Sequence, residues 1–68
     1  MEAQLVTTMK VQRVMRDLTQ ADLAALAGVT RKSINAIEGG HMVPSVLLAL
    51  KLAKAMDVTV EQLFQIGS

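Results

Sequence analysis

An all-α fold of five short helices is predicted by two observations along the 68-residue chain. Apolar residues recur at spacings of three and four almost throughout, and no stretch alternates apolar with polar long enough to mark a strand. A threonine or serine stands directly before four of the apolar segments, and glycine follows two of them, which is where helix caps belong.

The first helix is predicted over about Met9 to Arg16, with Met9, Val14 and Leu18 facing inward, and it ends near Asp17. Thr19 can cap a second over Gln20 to Ala27, its hydroxyl accepting from a first-turn N–H while Asp22, three residues on, reaches back. Gly28 stops that helix. Thr30 can cap a third, Arg31 to Glu38, and Gly39-Gly40 supplies the freedom to leave it. Ser45, after Pro44, can cap a fourth over Val46 to Met56, and Thr59 with Gln62 forms a capping box for a last helix from Val60 to about Gln65. The pairs Leu18/Leu23, Val29/Ile34 and Val58/Leu63 have hydrophobic-staple spacing, which fixes the angle at which the chain enters each helix. Residues 1–8 stand outside this pattern as an N-terminal arm, flexible or at a dimer interface, and the domain proper spans 9–66. Leu5-Val6-Thr7 reads as a frayed end by default and otherwise as a short arm or strand on a partner subunit.

A chain of this length makes one small domain, hides only about 60% of the surface of its unfolded form, and is commonly helped by self-association. With no cysteine and a single histidine, His41, neither a disulfide framework nor a zinc site can be assembled, so no metal and no cofactor are predicted. The longest apolar run, Val46 to Leu50, falls far short of the ~20 residues of a membrane span. Glu2 stands where a targeting peptide would carry positive charge, so a cytoplasmic location is expected. Net charge is only +1, but Lys10, Arg13, Arg16, Arg31 and Lys32 outweigh Asp17 and Asp22 in the first half, a local +3 that suits a polyanionic partner or an ordinary solvated face.

Counted from Gln20, Leu23 is fourth, Ala24 fifth, Ala27 eighth, Gly28 ninth, Val29 tenth, Ile34 fifteenth and Ile37 eighteenth. These are the requirements of a helix-turn-helix: a small residue where two helices cross, a glycine for a left-handed turn, and apolar positions facing one core. With Ile34 and Ile37 inward, Arg31, Lys32, Asn35 and Ala36 share the outer face of the third helix. Arg and Lys can donate to guanine O6 and N7, Asn can pair with adenine, and Ala fits a thymine methyl. A polar outer face is also what any surface helix shows.

From Met9 to Phe64 the sequence resembles the XRE/Cro-type helix-turn-helix family, on the strength of Leu18-Thr19-Gln20-Ala21-Asp22-Leu23-Ala24, Gly28-Val29-Thr30-Arg31, Ile34-Asn35-Ala36-Ile37-Glu38-Gly39-Gly40, Pro44-Ser45 and Asp57-Val58-Thr59-Val60-Glu61-Gln62-Leu63-Phe64. The resemblance implies a compact five-helix, lambda-repressor-like DNA-binding domain of a bacterial or archaeal regulator. Its third helix would lie in the major groove of double-stranded DNA, its location then being the nucleoid. Gln20 and Thr30 begin helices whose free N–H groups can hold phosphate, and the family uses both positions as backbone clamps. Ser33 and His41 are further phosphate candidates, although Ser33 can instead face the core and His41 can close a turn. Arg13 and Glu38 match positions that form an ion pair in relatives; a phosphate contact is the other use of Arg13.

Departures from the family pattern point to an interface. Gln12 stands where leucine is usual, Val11, Val14 and Met15 occupy usually polar places, and Leu47 replaces an acid, so the first helix is either rotated or offers an apolar stripe. Leu47, Leu50 and Ile66 are the dimer-interface candidates, with Leu5 and Val6 as additions, while Phe64 is expected to plug the core. The expected function is a DNA-binding regulator, in particular a repressor on a palindromic operator as a homodimer; the alternative is an antitoxin or other interaction module that binds a toxin protein. No catalytic residue is predicted, since His41 lacks a partner base and the carboxylates are dispersed. Regulation is expected from concentration, partner proteins or proteolysis.

Overall fold

Four turns of one design set the helices in place. In the computed structural model, which describes residues 3–67, the chain runs β1 (Gln4–Thr7), α1 (Met9–Met15), α2 (Gln20–Ala27), α3 (Arg31–Glu38), α4 (Val46–Met56), α5 (Val60–Leu63) and β2 (Phe64–Gly67). After each of α1 to α4 one residue takes a positive φ: Asp17 at 55°, Gly28 at 68°, Gly40 at 78° and Asp57 at 55°. The next residue then donates its N–H back across the last helical turn, from Leu18 to Arg13 O at 3.2 Å, Val29 to Ala24 O at 2.9 Å, His41 to Ala36 O at 2.9 Å and Val58 to Ala53 O at 3.0 Å. This satisfies carbonyls that a helix end leaves bare. Three of the turns continue identically into an apolar residue and a threonine cap, Leu18-Thr19, Val29-Thr30 and Val58-Thr59.

The caps explain where the helices begin. Thr19 accepts from the N–H of Asp22 at 3.0 Å while Asp22 accepts from the N–H of Thr19 at 2.9 Å. Thr59 and Gln62 form the same reciprocal pair at 3.1 and 2.8 Å. Thr30 and Ser45 accept from Ser33 and Leu48, each at 3.1 Å. Leu18, Val29 and Val58 pack on one core of Met9, Leu23, Ala24, Ala27, Ile34, Ile37, Leu48, Leu52, Ala53, Met56 and Leu63. Truncating one of the large members to alanine costs about 2–5 kcal/mol, so this cluster carries most of the stability of so small a domain.

The all-α expectation is corrected by a two-stranded antiparallel sheet pairing Gln4 with Gly67, Leu5 with Ile66, Val6 with Gln65 and Thr7 with Phe64. Residues 4–7 are therefore strand rather than frayed arm; residues 1 and 2 of that arm lie outside the described residues. The last helix stops at Leu63 instead of continuing to Gln65, because Phe64 is already extended at φ −131° and ψ 133°. Its exposed carbonyl end is closed by the strand's exit: Leu63 O accepts from Thr7 Oγ1 and Thr8 N, both at 2.9 Å, and Gln62 O accepts from Thr8 Oγ1 at 2.5 Å. Val14, expected inward on α1, is 55% exposed; Met9 and Arg13 are the buried residues of that helix. Phe64 is half-buried against the core.

Nothing lies within 4 Å of where a Cβ on Gly28 would stand, so Gly28→Ala meets only the backbone cost of its left-handed conformation and is expected to lose about 1 kcal/mol in urea unfolding. Asp57→Gly, at the matching turn, should gain a few tenths of a kcal/mol up to about 1 by the reverse argument. The Thr19 N–H and hydroxyl hold the Asp22 carboxyl below its ordinary value. A lowered carboxylate stabilises the fold above the unfolded-state pKa of about 3.9 and loses that contribution as pH falls through the folded-state value. The stability gap between the wild type and Asp22→Asn should accordingly close on acidification below about pH 4.

Candidate nucleic-acid interface

The site is assembled around one buried carboxylate at the end of α3. Glu38 Oε2 accepts from Arg13 Nε at 2.7 Å, and Glu38 Oε1 accepts from Arg13 Nη2 at 3.2 Å and from Gln20 Nε2 at 3.1 Å. Arg13 Nη1 donates to Leu18 O at 2.7 Å, the carbonyl of the turn that leads into α2. The Arg13 and Glu38 side chains are only 10% and 5% exposed. The hydrogen bond to Glu38 raises the Arg13 pKa above its ordinary value, against the opposing effect of burial. With the guanidinium turned inward and bonded on all three nitrogens, Arg13 forms a clamp joining α1, the α1–α2 turn and α3.

Gln20 extends the clamp outward. Its amide nitrogen also donates to Asn35 Oδ1 at 3.2 Å, so the first residue of α2 holds a side chain on the outer face of α3. Asn35 keeps its own amide nitrogen for another partner. Gln20, Arg31, Lys32 and Asn35 together line one open hollow. Arg31, Lys32, Asn35 and Thr30 are exposed, while Ala36 and Ser33 are half-buried. The Ser33 hydroxyl lies 3.0 Å from Thr30 Oγ1 and completes the cap of α3. His41 closes the turn after α3 through its backbone, with its ring beside Gly39 and largely in solvent. The role of Gln20 as a bridge was not visible in the sequence, where its place at the start of α2 suggested only a phosphate clamp.

Electrostatics single out the start of α3. Its first turn holds no acid and carries Arg31 and Lys32. Cations at a helix N-terminus oppose the macrodipole by about 0.3–1 kcal/mol each. At α2 and α3 alike the capping threonine takes the third N–H of the helix, while the N–H groups of Gln20 and Ala21, and of Arg31 and Lys32, have no partner among the described residues. Two helix N-termini and two cations on adjacent elements form a surface that an anion would stabilise.

A family model described as Helix-turn-helix matches residues 9–63. The chain belongs to this XRE-type helix-turn-helix family. The family is one of DNA-binding transcriptional regulators rather than of enzymes. An HTH-type transcriptional regulator of Methanocaldococcus jannaschii, itself uncharacterized, is 46% identical over 56 residues, which cover 82% of this chain and 85% of that protein. The crystal structure of the restriction-modification controller protein C.AhdI from Aeromonas hydrophila matches with a TM-score of 0.77 at 31% identity, over 79% of this chain and 82% of that one. A Bacteroides fragilis chain shares the fold at a TM-score of 0.82 and 22% identity, covering 91% of this chain and all of that one. No helix among the described residues is long and apolar enough to cross a membrane, and no cluster of metal-ligating side chains occurs among them.

Arg13→Met should cost about 3–5 kcal/mol in chemical denaturation, because it leaves the Glu38 carboxylate buried without its partner. The double variant Arg13→Met/Glu38→Leu should recover most of that loss. A near-additive double variant would show instead that the pair is solvated and weak.

Proposed function

We propose that this helix-turn-helix protein is a sequence-specific repressor that binds a palindromic operator as a homodimer, with α3 in the major groove. The observation that carries the reading is the unfavourable placement of Arg31 and Lys32 at the positive end of α3, a local cost that a bound phosphate backbone turns into a gain. In this reading Arg31 and Lys32 donate to guanine edges, Asn35 reads adenine with its free amide, and Ala36 contacts a thymine methyl. The N-termini of α2 and α3 hold phosphates through the free N–H groups at Gln20 and Arg31, with Thr30, Ser33 and His41 adding side-chain donors. The Gln20 side chain contributes by fixing Asn35 rather than by touching DNA, since its two amide hydrogens already have partners. The similarity to a restriction-modification controller supports a regulatory role.

A second reading, an antitoxin or other protein-interaction module on the same fold, is favoured by the outer stripe of α1. There Val11, Val14 and Met15 are 60%, 55% and 70% exposed. A toxin-like reading frame adjoining this gene would support it.

Selection from random duplex DNA at about 150 mM salt is expected to enrich paired half-sites about 10 bp apart, with binding lost in Arg31→Ala/Lys32→Ala. If six to eight phosphates are neutralised per dimer, log affinity should fall against log salt with a slope of about −5 to −7. A slope near zero would overturn the reading. Lys32→Glu offers a sharper discrimination. It should stabilise the free protein by about 0.5 kcal/mol in thermal unfolding while weakening operator binding at least tenfold.

A further inference from the structure

The hydrogen bonds that leave Glu38 have a direction as well as a length. An ionised carboxylate only accepts, so the group that Gln20 turns toward Glu38 Oε1, at 3.1 Å, is its amide nitrogen. That nitrogen has one hydrogen left. It goes to Asn35 at 3.2 Å, and the atom that receives it is Oδ1. The chain from Glu38 through Gln20 to Asn35 therefore runs one way, from a side chain 5% exposed, through a half-buried one, to an exposed one. Asn35 Nδ2, with both its hydrogens, has no partner among the described residues. In the reversed sense Gln20 Oε1 would face Glu38 Oε1, two acceptors with no hydrogen between them. A bond to a charged group would be lost, which holds that sense to about a tenth of the population or less.

The other base-facing residues of α3 cannot compensate. Arg31 and Lys32 carry donors alone, and Ala36 carries neither donor nor acceptor. Whether α3 offers a free acceptor to a base edge thus depends on which end of the Asn35 amide is turned outward, and the chain turns the oxygen inward.

We propose that Glu38, acting through Gln20 and without touching DNA, selects the base read by Asn35: one whose major-groove edge offers an acceptor, a purine foremost, with cytosine turned away. The preference rests on the operator reading given above and narrows it. Adenine and guanine both accept from Nδ2 at N7, and guanine adds O6. Cytosine shows only its N4 donor, which meets a donor on Asn35 and an oxygen already engaged by Gln20. Glu38 and Gln20 are positioning residues in this scheme. An Asn35 amide released from them could turn either end to the groove, and its position in the operator would become degenerate.

The test compares the wild type with Gln20→Leu, Glu38→Gln and Asn35→Ala. Gln20→Leu removes the bridge but keeps the backbone N–H of α2, and Glu38→Gln replaces the obligate acceptor by a group that can donate to Gln20 Oε1. After selection of an operator, the affinity for all four bases is measured at the position whose preference Asn35→Ala flattens. The wild type is expected to bind cytosine there at least about tenfold more weakly than the best base. Gln20→Leu and Glu38→Gln should each cut that discrimination at least about threefold, with preferences at the other positions unchanged. In the free protein, relaxation of the Asn35 side-chain amide by NMR should show an order parameter near the rigid-backbone value of about 0.85 in the wild type and below about 0.6 in Gln20→Leu. Gln20→Leu keeps the Arg13–Glu38 pair, so it carries the test if circular dichroism shows Glu38→Gln unfolded. Undiminished discrimination against cytosine in a folded Gln20→Leu overturns the proposal. So does an equal loss of affinity for all four bases, or an Asn35 amide as mobile in the wild type as in that variant. Absence of any enriched operator removes the sequence-specific reading and the base preference with it, whereas an operator bound with unaltered cytosine discrimination defeats this proposal alone.

Discussion

The Glu38 carboxylate is the point on which the geometry of the recognition surface depends. Three donors converge on it from two other helices, with the Arg13 guanidinium supplying two and the Gln20 amide one. Through Arg13 it also holds the Leu18 carbonyl, so α1, the first turn, α2 and α3 share one polar junction beside an otherwise apolar core. Burying such a pair gains little net stability, because desolvation offsets most of the attraction. Its effect is orientational. A guanidinium fork admits few arrangements of its partners, and a helix of eight residues held at its end by that fork cannot roll about its axis without breaking it. The outer face of α3 therefore inherits its direction from an interaction at the helix's end, one that the Gln20 amide links directly to Asn35.

Against this rigid support, the start of α3 is built at a local disadvantage. Thr30 caps it in the ordinary way, yet Arg31 and Lys32 occupy the turn where acids are favoured. The first turn of α2 follows the usual rule, with Asp22 in the capping box. Two neighbouring helices with the same kind of turn and cap thus differ in the sign of charge at their N-termini. That difference has no counterpart in the demands of folding. It is the kind of conflict between local preference and global structure that marks a surface shaped for a partner.

Much of the helical framework was legible because it is written in residues close together in sequence. Thr19 with Asp22 and Thr59 with Gln62 are three apart, and the turn after α2 needs a glycine one residue past the helix. The phase of α1 was less legible: seven residues make two turns, and Val14 suits an inward place as readily as the outward one it takes. Arg13, which a hydrophobicity pattern assigns to solvent, is buried instead because Glu38 and the Leu18 carbonyl meet its donors. The Arg13–Glu38 pair itself was legible only through family resemblance, and the Gln20 bridge to Asn35 was not legible, since nothing local sets a side-chain amide 15 residues from its partner. The strands were missed for a related reason. QLVT and FQIG are too short to show alternation, and each is a strand only because the other lies beside it.

That last feature bears on how the chain reaches its structure. Helix caps and turns close over a few residues, whereas Thr7 meets the Leu63 carbonyl across 56. Contacts of such separation must overcome loop-closure entropy before they contribute, which places the ribbon after the helices in the order of assembly and first in the order of opening. The strands thus act as a latch drawn across a finished helical body, and the time the latch spends closed is a property that can change without altering α3 itself.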